Sequence, residues 1–272
     1  MKIKINLFRQ FFIFSLISIS LFNCSIDDVN RRFHESLALP QPSPISIVDP
    51  NNFSFIHITD LHVVNGKNPH LTAFGSRLIS TDAFIIASGD LTDNGQQGDF
   101  AAYGKIMKSF GIPYFSGIGN HDLWFGGWDS FKTLVGPSVY STTAGNLRII
   151  FLDTADDTIG ADQLQWLKKE LEQKTEPYCI VVSHYNFFLP TILETAMPTN
   201  MQEIYAMMRL FEKYRVDYVL MGHSHIYDYR KINGISYLVD SALKQYSANE
   251  QKYYNRITVS NGKMTHQRFA IY

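Results

Sequence analysis

The chain predicts an α/β protein, a four-layer αββα sandwich of two mixed β-sheets flanked by helices. Three observations carry that expectation. Short apolar runs of strand length alternate with amphipathic helical segments through the middle of the chain, and its last part reads as strands joined by an Asn261-Gly262 hairpin turn. Several of the strand runs also stop abruptly in Gly, Asp, Asn or His. Such endings put polar groups beyond the carboxyl edge of a sheet, where ligands gather in layered α/β folds. At 272 residues, with 45% hydrophobic and 18% charged side chains, the chain can bury one sizeable core and shows no compositional sign of disorder.

In chain order, Met1 to Gln10 carries Lys2, Lys4 and Arg9, and Phe11 to Phe22 is almost wholly apolar. A basic start followed by a segment well under the ~20 residues a membrane span needs reads as an export signal over residues 1–23. The run ends Leu21-Phe22-Asn23-Cys24, which resembles a bacterial lipoprotein processing site with Cys24 as the acyl acceptor. Phe22 and Asn23 depart from the usual pattern, so a simply cleaved signal is the first alternative and an uncleaved anchor the second. Lipidation would hold the protein at a membrane surface by its first residue, in the periplasm or on the cell surface; otherwise it would be secreted. Residues 24–50 lack periodicity and are broken by Pro40, Pro42, Pro44 and Pro50, which predicts a tether. Residues 51–272 show no internal repeat or later composition shift and are expected to form one domain.

Strands are expected at Phe53 to Thr59, Ala83 to Ser88, Pro113 to Ile118, Leu147 to Asp153, Cys179 to Ser183 and Asp217 to Met221. Three more follow at Ile235 to Asp240, Tyr253 to Ser260 and Met264 to Ile271. Helices are expected at Gln97 to Phe110, Ala161 to Gln173 and Asn200 to Tyr214, each with apolar residues at helical spacing. Two cysteines, Cys24 and Cys179, exclude a disulfide framework and a thiolate metal cluster, and Cys179 reads as a small core residue.

The stretch around which the chain is organised is Ile85-Ile86-Ala87-Ser88-Gly89-Asp90-Leu91-Thr92-Asp93. An apolar strand there delivers a carboxylate to a sheet edge. Four other strand ends finish alike: Thr59-Asp60-Leu61-His62, Gly119-Asn120-His121-Asp122, Ser183-His184 and Gly222-His223-Ser224-His225. Each alone is weak, since a lone strand-end Asp or His is more often structural. Together they point to a metal cluster with Asp90 at its centre. Carboxylates and imidazoles without thiolates suit borderline divalent ions such as Mn, Fe or Zn.

In their order and placement, Asp60-x-His62, Gly89-Asp90, Gly119-Asn120-His121-Asp122, His184 and Gly222-His223-x-His225 resemble the calcineurin-like metallophosphoesterase superfamily, from about Asn52 to the C-terminus. The resemblance implies two divalent ions, with Asp60, His62, Asp90 and His225 on the first and Asp90, Asn120, His184 and His223 on the second. Asp90 would bridge them. It also implies hydrolysis of a phosphoester by in-line attack of a metal-bridging hydroxide, with His121 facing the substrate and Asp122 orienting His121. The glycines at 89, 119 and 222 would let the backbone turn sharply beside the ions. Of the other histidines, His57 reads as a core residue, while His34, His70 and His266 read as surface residues. Asp93 reads as a turn residue.

Departures from the family's branches narrow the substrate. Protein phosphatases of the superfamily carry arginines where this chain has Asn94 and Ile118, and purple acid phosphatases carry a Tyr where it has Asp93. The wording Gly-Asp-Leu-Thr-Asp, the Gly-Asn-His-Asp ending and Gln163-Leu164-x-Trp166-Leu167 look most like the class III cyclic-nucleotide phosphodiesterase and glycerophosphodiesterase branch. A small phosphodiester is therefore favoured. The alternatives are an extracytoplasmic phosphomonoesterase or nucleotidase, and a non-catalytic surface lipoprotein on the same fold. Trp124, Phe125, Tyr185 and Asn186 are candidates for the substrate wall, with Tyr227 a weaker one; these rings could equally pack against the domain or the tether. Net charge is −1, and it falls to −4 once Lys2, Lys4 and Arg9 are removed with the signal. That balance disfavours long nucleic acids, and with them a nuclease. No protein partner can be inferred.

Overall fold

A computed structural model describes residues 28–188, 200–246 and 250–272; the expected export signal and Cys24 lie outside them. Eleven strands form two sheets among the described residues. The first has β1 (Asn52–Ile58), β2 (Asp82–Ala87), β3 (Tyr114–Ser116), β10 (Tyr253–Ser260) and β11 (Lys263–Ala270), in the order β11-β10-β1-β2-β3. The second has β4 (Tyr140–Ala144), β5 (Leu147–Phe151), β6 (Tyr178–Val182), β7 (Tyr218–Met221), β8 (Asp228–Ile232) and β9 (Ile235–Val239), in the order β4-β5-β6-β7-β9-β8. Both sheets are mixed. β1, β2 and β3 run parallel, as do β5, β6, β7 and β9, while antiparallel pairs form the β10–β11 side of the first sheet and both edges of the second. The parallel centres give the site its location, because their carboxyl ends all point one way.

Three apolar layers hold the sandwich together. Phe55, Phe84, Phe151, Leu220 and Ile257 fill the space between the sheets. Ile56, Ile58 and Ile85 on the outer face of the first sheet pack on α2 (Pro69–Phe74), α3 (Gln97–Ser109) and α4 (Trp128–Leu134). Ile150, Val181 and Val219 on the outer face of the second pack on α5 (Gly160–Gln173) and α6 (Met201–Lys213). Strands buried on both faces are near-continuous apolar runs, which is why the central ones are legible in the sequence.

The structure departs from the sequence reading in several places. Strands β4 and β8 and helices α2 and α4 were not expected. β8 (DYRKI) is a polar edge strand that buries little, and β4 (YSTTA) buries Tyr140, Thr142 and Ala144 without an apolar run, so neither sequence carries a clear core signal. The expected tether holds a helix, α1, over residues 28–38. Val29 and Phe33 are buried in it, and Phe33 meets Trp166 of α5 edge-on at 6.3 Å. Arg32 pairs with Asp153 through Nε at 2.8 Å and Nη2 at 3.0 Å, both side chains buried. Arg32, Glu35 and Ser36 hid α1, because their partners Asp153, Trp128, Lys132 and Ser138 lie far along the chain. His70 is buried rather than exposed, with Nδ1 3.0 Å from Tyr272 Oη, and His266 sits between Tyr218 and Tyr227. His34 is exposed beside Asp162, and His57 is a fully buried core residue with Nε2 2.9 Å from Ser88 Oγ.

Candidate metal centre

Five loops leave the carboxyl ends of β1, β2, β3, β6 and β7 and are laced together by their backbones. Asp60 N donates to Gly89 O at 3.1 Å, His62 N to Asp90 O at 2.9 Å, and Gly222 N to His184 O at 3.0 Å. Asp60, His62, Asp90, His223 and His225 all have φ between +46° and +70°. Non-glycine residues at such angles cost of order 1–3 kcal/mol each and persist where the surroundings over-determine them. Close approach, more than sharp turning, explains two of the glycines. A Cβ on Gly119 would lie 2.2 Å from Asp90 Oδ1, and one on Gly222 would lie 2.0 Å from Thr59 Oγ1.

The side chains converge in two groups. Asp60, His62, Asp90 and His225 each offer a ligand atom within 4.8 Å of the others. Within that group His62 Nε2 is 3.3 Å from His225 Nε2, and His225 Nε2 is 3.1 Å from Asp60 Oδ1. In the second group, Asn120 Oδ1 lies 3.2 Å from His184 Nε2 and 3.1 Å from His223 Nδ1. Asp90 belongs to both: its Oδ2 is 3.4 Å from His62 Nε2 and its Oδ1 is 3.4 Å from His184 Nε2. One carboxylate thus turns one oxygen to each group.

Charge and spacing test whether ions fit here. Asp60 and Asp90 are buried, and their ion pairs among the described residues are all to histidines. Buried carboxylates need a positive partner, so a cation answers the deficit. Burial alone would raise both carboxyls, but the surrounding histidines outweigh it and hold them below the usual carboxylate range. Burial pushes His62 and His223 down to about 4, which keeps their lone pairs free at neutral pH. Burial also opposes charge on His184, yet Asp90 and Asp60 outweigh it and lift that ring to about 9. Donors about 2.1 Å from a common ion stand ~3.0–3.4 Å apart, the spacing seen in both groups. The residues fit a pair of divalent ions.

The expected acid–base pair needs correction. Asp122 does not orient His121. It is fully buried and accepts from Leu91 N at 3.1 Å, Thr92 N at 2.9 Å, Thr92 Oγ1 at 3.1 Å and Gly119 N at 3.0 Å, tying two metal-site turns together. Burial and the nearby Asp90 charge push its carboxyl up to about 7 despite those donors. His121 instead donates from Nδ1 to the main-chain carbonyl of Asp93 at 2.8 Å. A carbonyl only accepts, so Nδ1 carries the proton and Nε2 is the free position.

The wall candidates separate. Trp124 packs on His121 with ring centroids 3.7 Å apart and is 44% exposed, and Phe125 is 83% exposed at φ +53°. Tyr185 stacks on His223 at 3.9 Å. Asn186 is buried and braces its own loop, accepting from Phe188 N at 2.9 Å. Tyr227 turns toward His266 and Arg268. Sequence reasoning missed Lys244 and Tyr246, and it misjudged Asp93, whose carboxylate meets His62. The Gly-Asp-x-x-Asp spacing was a signal for Asp93. Nothing in the sequence marked the other two.

The model for the calcineurin-like phosphoesterase family matches residues 53–227. A cAMP/cGMP dual specificity phosphodiesterase of Mycobacterium tuberculosis is 26% identical over 238 residues, covering 77% of this chain and 71% of its own. A probable cyclic nucleotide phosphodiesterase of Fibrobacter succinogenes is 29% identical over 126 residues, covering 42% of this chain and only 49% of its own. Among solved structures, a dimetal phosphatase of Danio rerio superposes with a TM-score of 0.64 at 14% identity, over 82% of this chain and 98% of that one. The anchor in the inner membrane complex of Plasmodium superposes with a TM-score of 0.63, also at 14% identity, over 81% of this chain and 85% of that one. At such identity the structures speak for the fold alone.

Proposed function

The chain belongs to the calcineurin-like phosphoesterase family, and on that premise we propose that it hydrolyses small phosphodiesters outside the cytoplasm, using two divalent ions (Mn, Fe or Zn). The observation that carries the reading is Asp90, whose two carboxylate oxygens face two separate donor sets. Asp60, His62, Asp90 and His225 would hold one ion, and Asp90, Asn120, His184 and His223 the other. Ions so placed supply Lewis-acid polarisation of the phosphoryl oxygens and lower the pKa of bound water.

The chain's own residues do the rest. Water attacks phosphorus in line with the leaving oxygen and the P–O bond to that oxygen breaks; the departing oxygen takes a proton from Nε2 of His121 in its doubly protonated form, and the proton released by the attacking water replaces it. The Asp93 carbonyl keeps His121 in the orientation that makes this possible. Asp122 preserves the spacing between the turns that carry Asp90 and Asn120. Trp124 and Tyr185 offer aromatic faces beside His121 and His223, suited to stacking a base or covering an apolar ester group.

Among the described residues, the Lys244 ammonium beside the first group is taken by Asp93 and is not free to neutralise a substrate, which supports the diester preference. A monoanionic diester needs less neutralisation than a dianionic monoester. The relatives from Mycobacterium and Fibrobacter, a cyclic-nucleotide phosphodiesterase and a probable one, point the same way. The test is a comparison of kcat/KM on mono- and diester forms of one chromogen with the Mn(II)-loaded protein. A higher value on the diester supports the reading, and a higher value on the monoester favours a phosphomonoesterase. No turnover of either overturns catalysis. Export and membrane attachment rest on residues 1–24, and loss of fatty-acid labelling in Cys24→Ser would support attachment.

A further inference from the structure

Outside the two donor groups, the first has partners of its own. His62 turns Nε2 inward and places Nδ1 3.0 Å from Asp93 Oδ1, and that same oxygen receives Lys244 Nζ at 2.8 Å. His225 likewise turns Nε2 inward, and its Nδ1 meets Tyr246 Oη. A carboxylate only accepts, so His62 Nδ1 holds the proton and its Nε2 lone pair stays free for an ion. Asp93 therefore sets two rings, His62 through its side chain and His121 through its carbonyl.

Lys244 and Tyr246 lie in one segment after β9, beyond residue 227 where the family match ends. Leu243 fixes that segment: its side chain is fully buried, and its N–H donates to Thr59 O at 3.2 Å, one residue before Asp60. The segment is thus docked on the loop that carries two of the candidate ligands. Lys244 and Asp93 are only about a quarter exposed, which shields their contact from solvent in part.

We propose that the segment from Leu243 to Tyr246 is the outer shell of the first half-site: Lys244, acting through Asp93, and Tyr246, acting directly, lock the rings of His62 and His225 and so set that half-site's affinity for its ion. They are positioning residues. The carboxylate raises the basicity of the ring it meets, and the ammonium keeps the carboxylate in place. The inference rests on the two half-sites proposed above.

Calorimetric titration of the metal-free full chain with Mn(II), beside a thermal melt, tests it without measuring turnover. Loss of an outer-shell partner lowers metal affinity by about 10–100-fold. Lys244→Met and Tyr246→Phe are each expected to weaken one of two Mn(II) equivalents to that extent and to leave the other unchanged. Lys244→Arg should retain wild-type binding, as should Lys231→Met on the exposed edge strand β8. Unchanged binding of both equivalents in Lys244→Met would overturn the proposal, as would equal weakening of both with a lowered melting temperature. A wild-type protein that binds no Mn(II) would break the two-ion reading itself.

Discussion

The two halves of the candidate centre share Asp90 yet are braced by opposite means. The first is supported by partly exposed contacts from the segment after β9: Lys244 on Asp93, Asp93 on His62, and Tyr246 on His225. The second is supported from inside the protein. Arg32 of α1 pairs with buried Asp153, and Ser138 donates to the same carboxylate at 2.9 Å. The next residue, Thr154, accepts through Oγ1 from His184 N and Tyr185 N, both at 3.1 Å. A partly exposed brace can be tuned at little cost in stability. A buried one is part of the fold, and disturbing it leaves an uncompensated charge.

The largest effect should come from breaking what the halves share. Asp90→Asn is expected to cut turnover by at least ~100-fold, and His121→Ala, which removes the acid–base group, by ~10²–10⁴-fold, both in folded protein by circular dichroism. Full activity in either variant would refute its assignment. Next, Arg32→Met should destabilise the chain by about 3–5 kcal/mol in urea melts, whereas Lys244→Met should cost no more than about 1 kcal/mol. Equal losses would erase the distinction between the braces.

Chelation compares the halves together: removing ions present at 100 times their Kd should lower unfolding free energy by about 2.7 kcal/mol per site. An unchanged melting temperature after chelation would contradict ion binding to the folded state. A further effect belongs to a group behind the centre. Burial depresses His57 to about 3, so the folded chain keeps it neutral while the unfolded chain protonates it near 6.5. Stability from this residue is complete above pH ~6.5 and is lost as pH falls toward 3, by about 2 kcal/mol between pH 6.5 and 5. His57→Gln should flatten that limb in urea melts at the two pH values, and an unaltered slope would remove His57 as its cause.

How much of this the sequence discloses follows from where each partner lies. The central strands and their polar ends are legible because a buried strand is an unbroken apolar run and its last residues carry the chemistry. Asp60, Asp90, Asn120, His184 and His223 could be picked out one by one from strand ends. Which oxygen of Asp90 faces which histidine could not, since that depends on backbone angles such as φ +49° at Asp90 itself. The orientation of His121 was misread because Asp122 is adjacent in sequence, while the group that holds the ring is a main-chain carbonyl at residue 93. α1 escaped notice because Arg32 and Glu35 find their partners at Asp153, Trp128 and Lys132, far along the chain. Trp128, grouped in sequence with Trp124 and Phe125, packs against α1 and takes no part in the exposed wall.

Anomalous diffraction from crystals of the Mn(II)-loaded protein tests the shared role of Asp90 most directly. Two anomalous peaks about 3.5–4 Å apart are expected, one against His62 and His225 and the other against His184 and His223, with an Asp90 oxygen on each. A single peak, or two peaks with Asp90 touching only one, would contradict it.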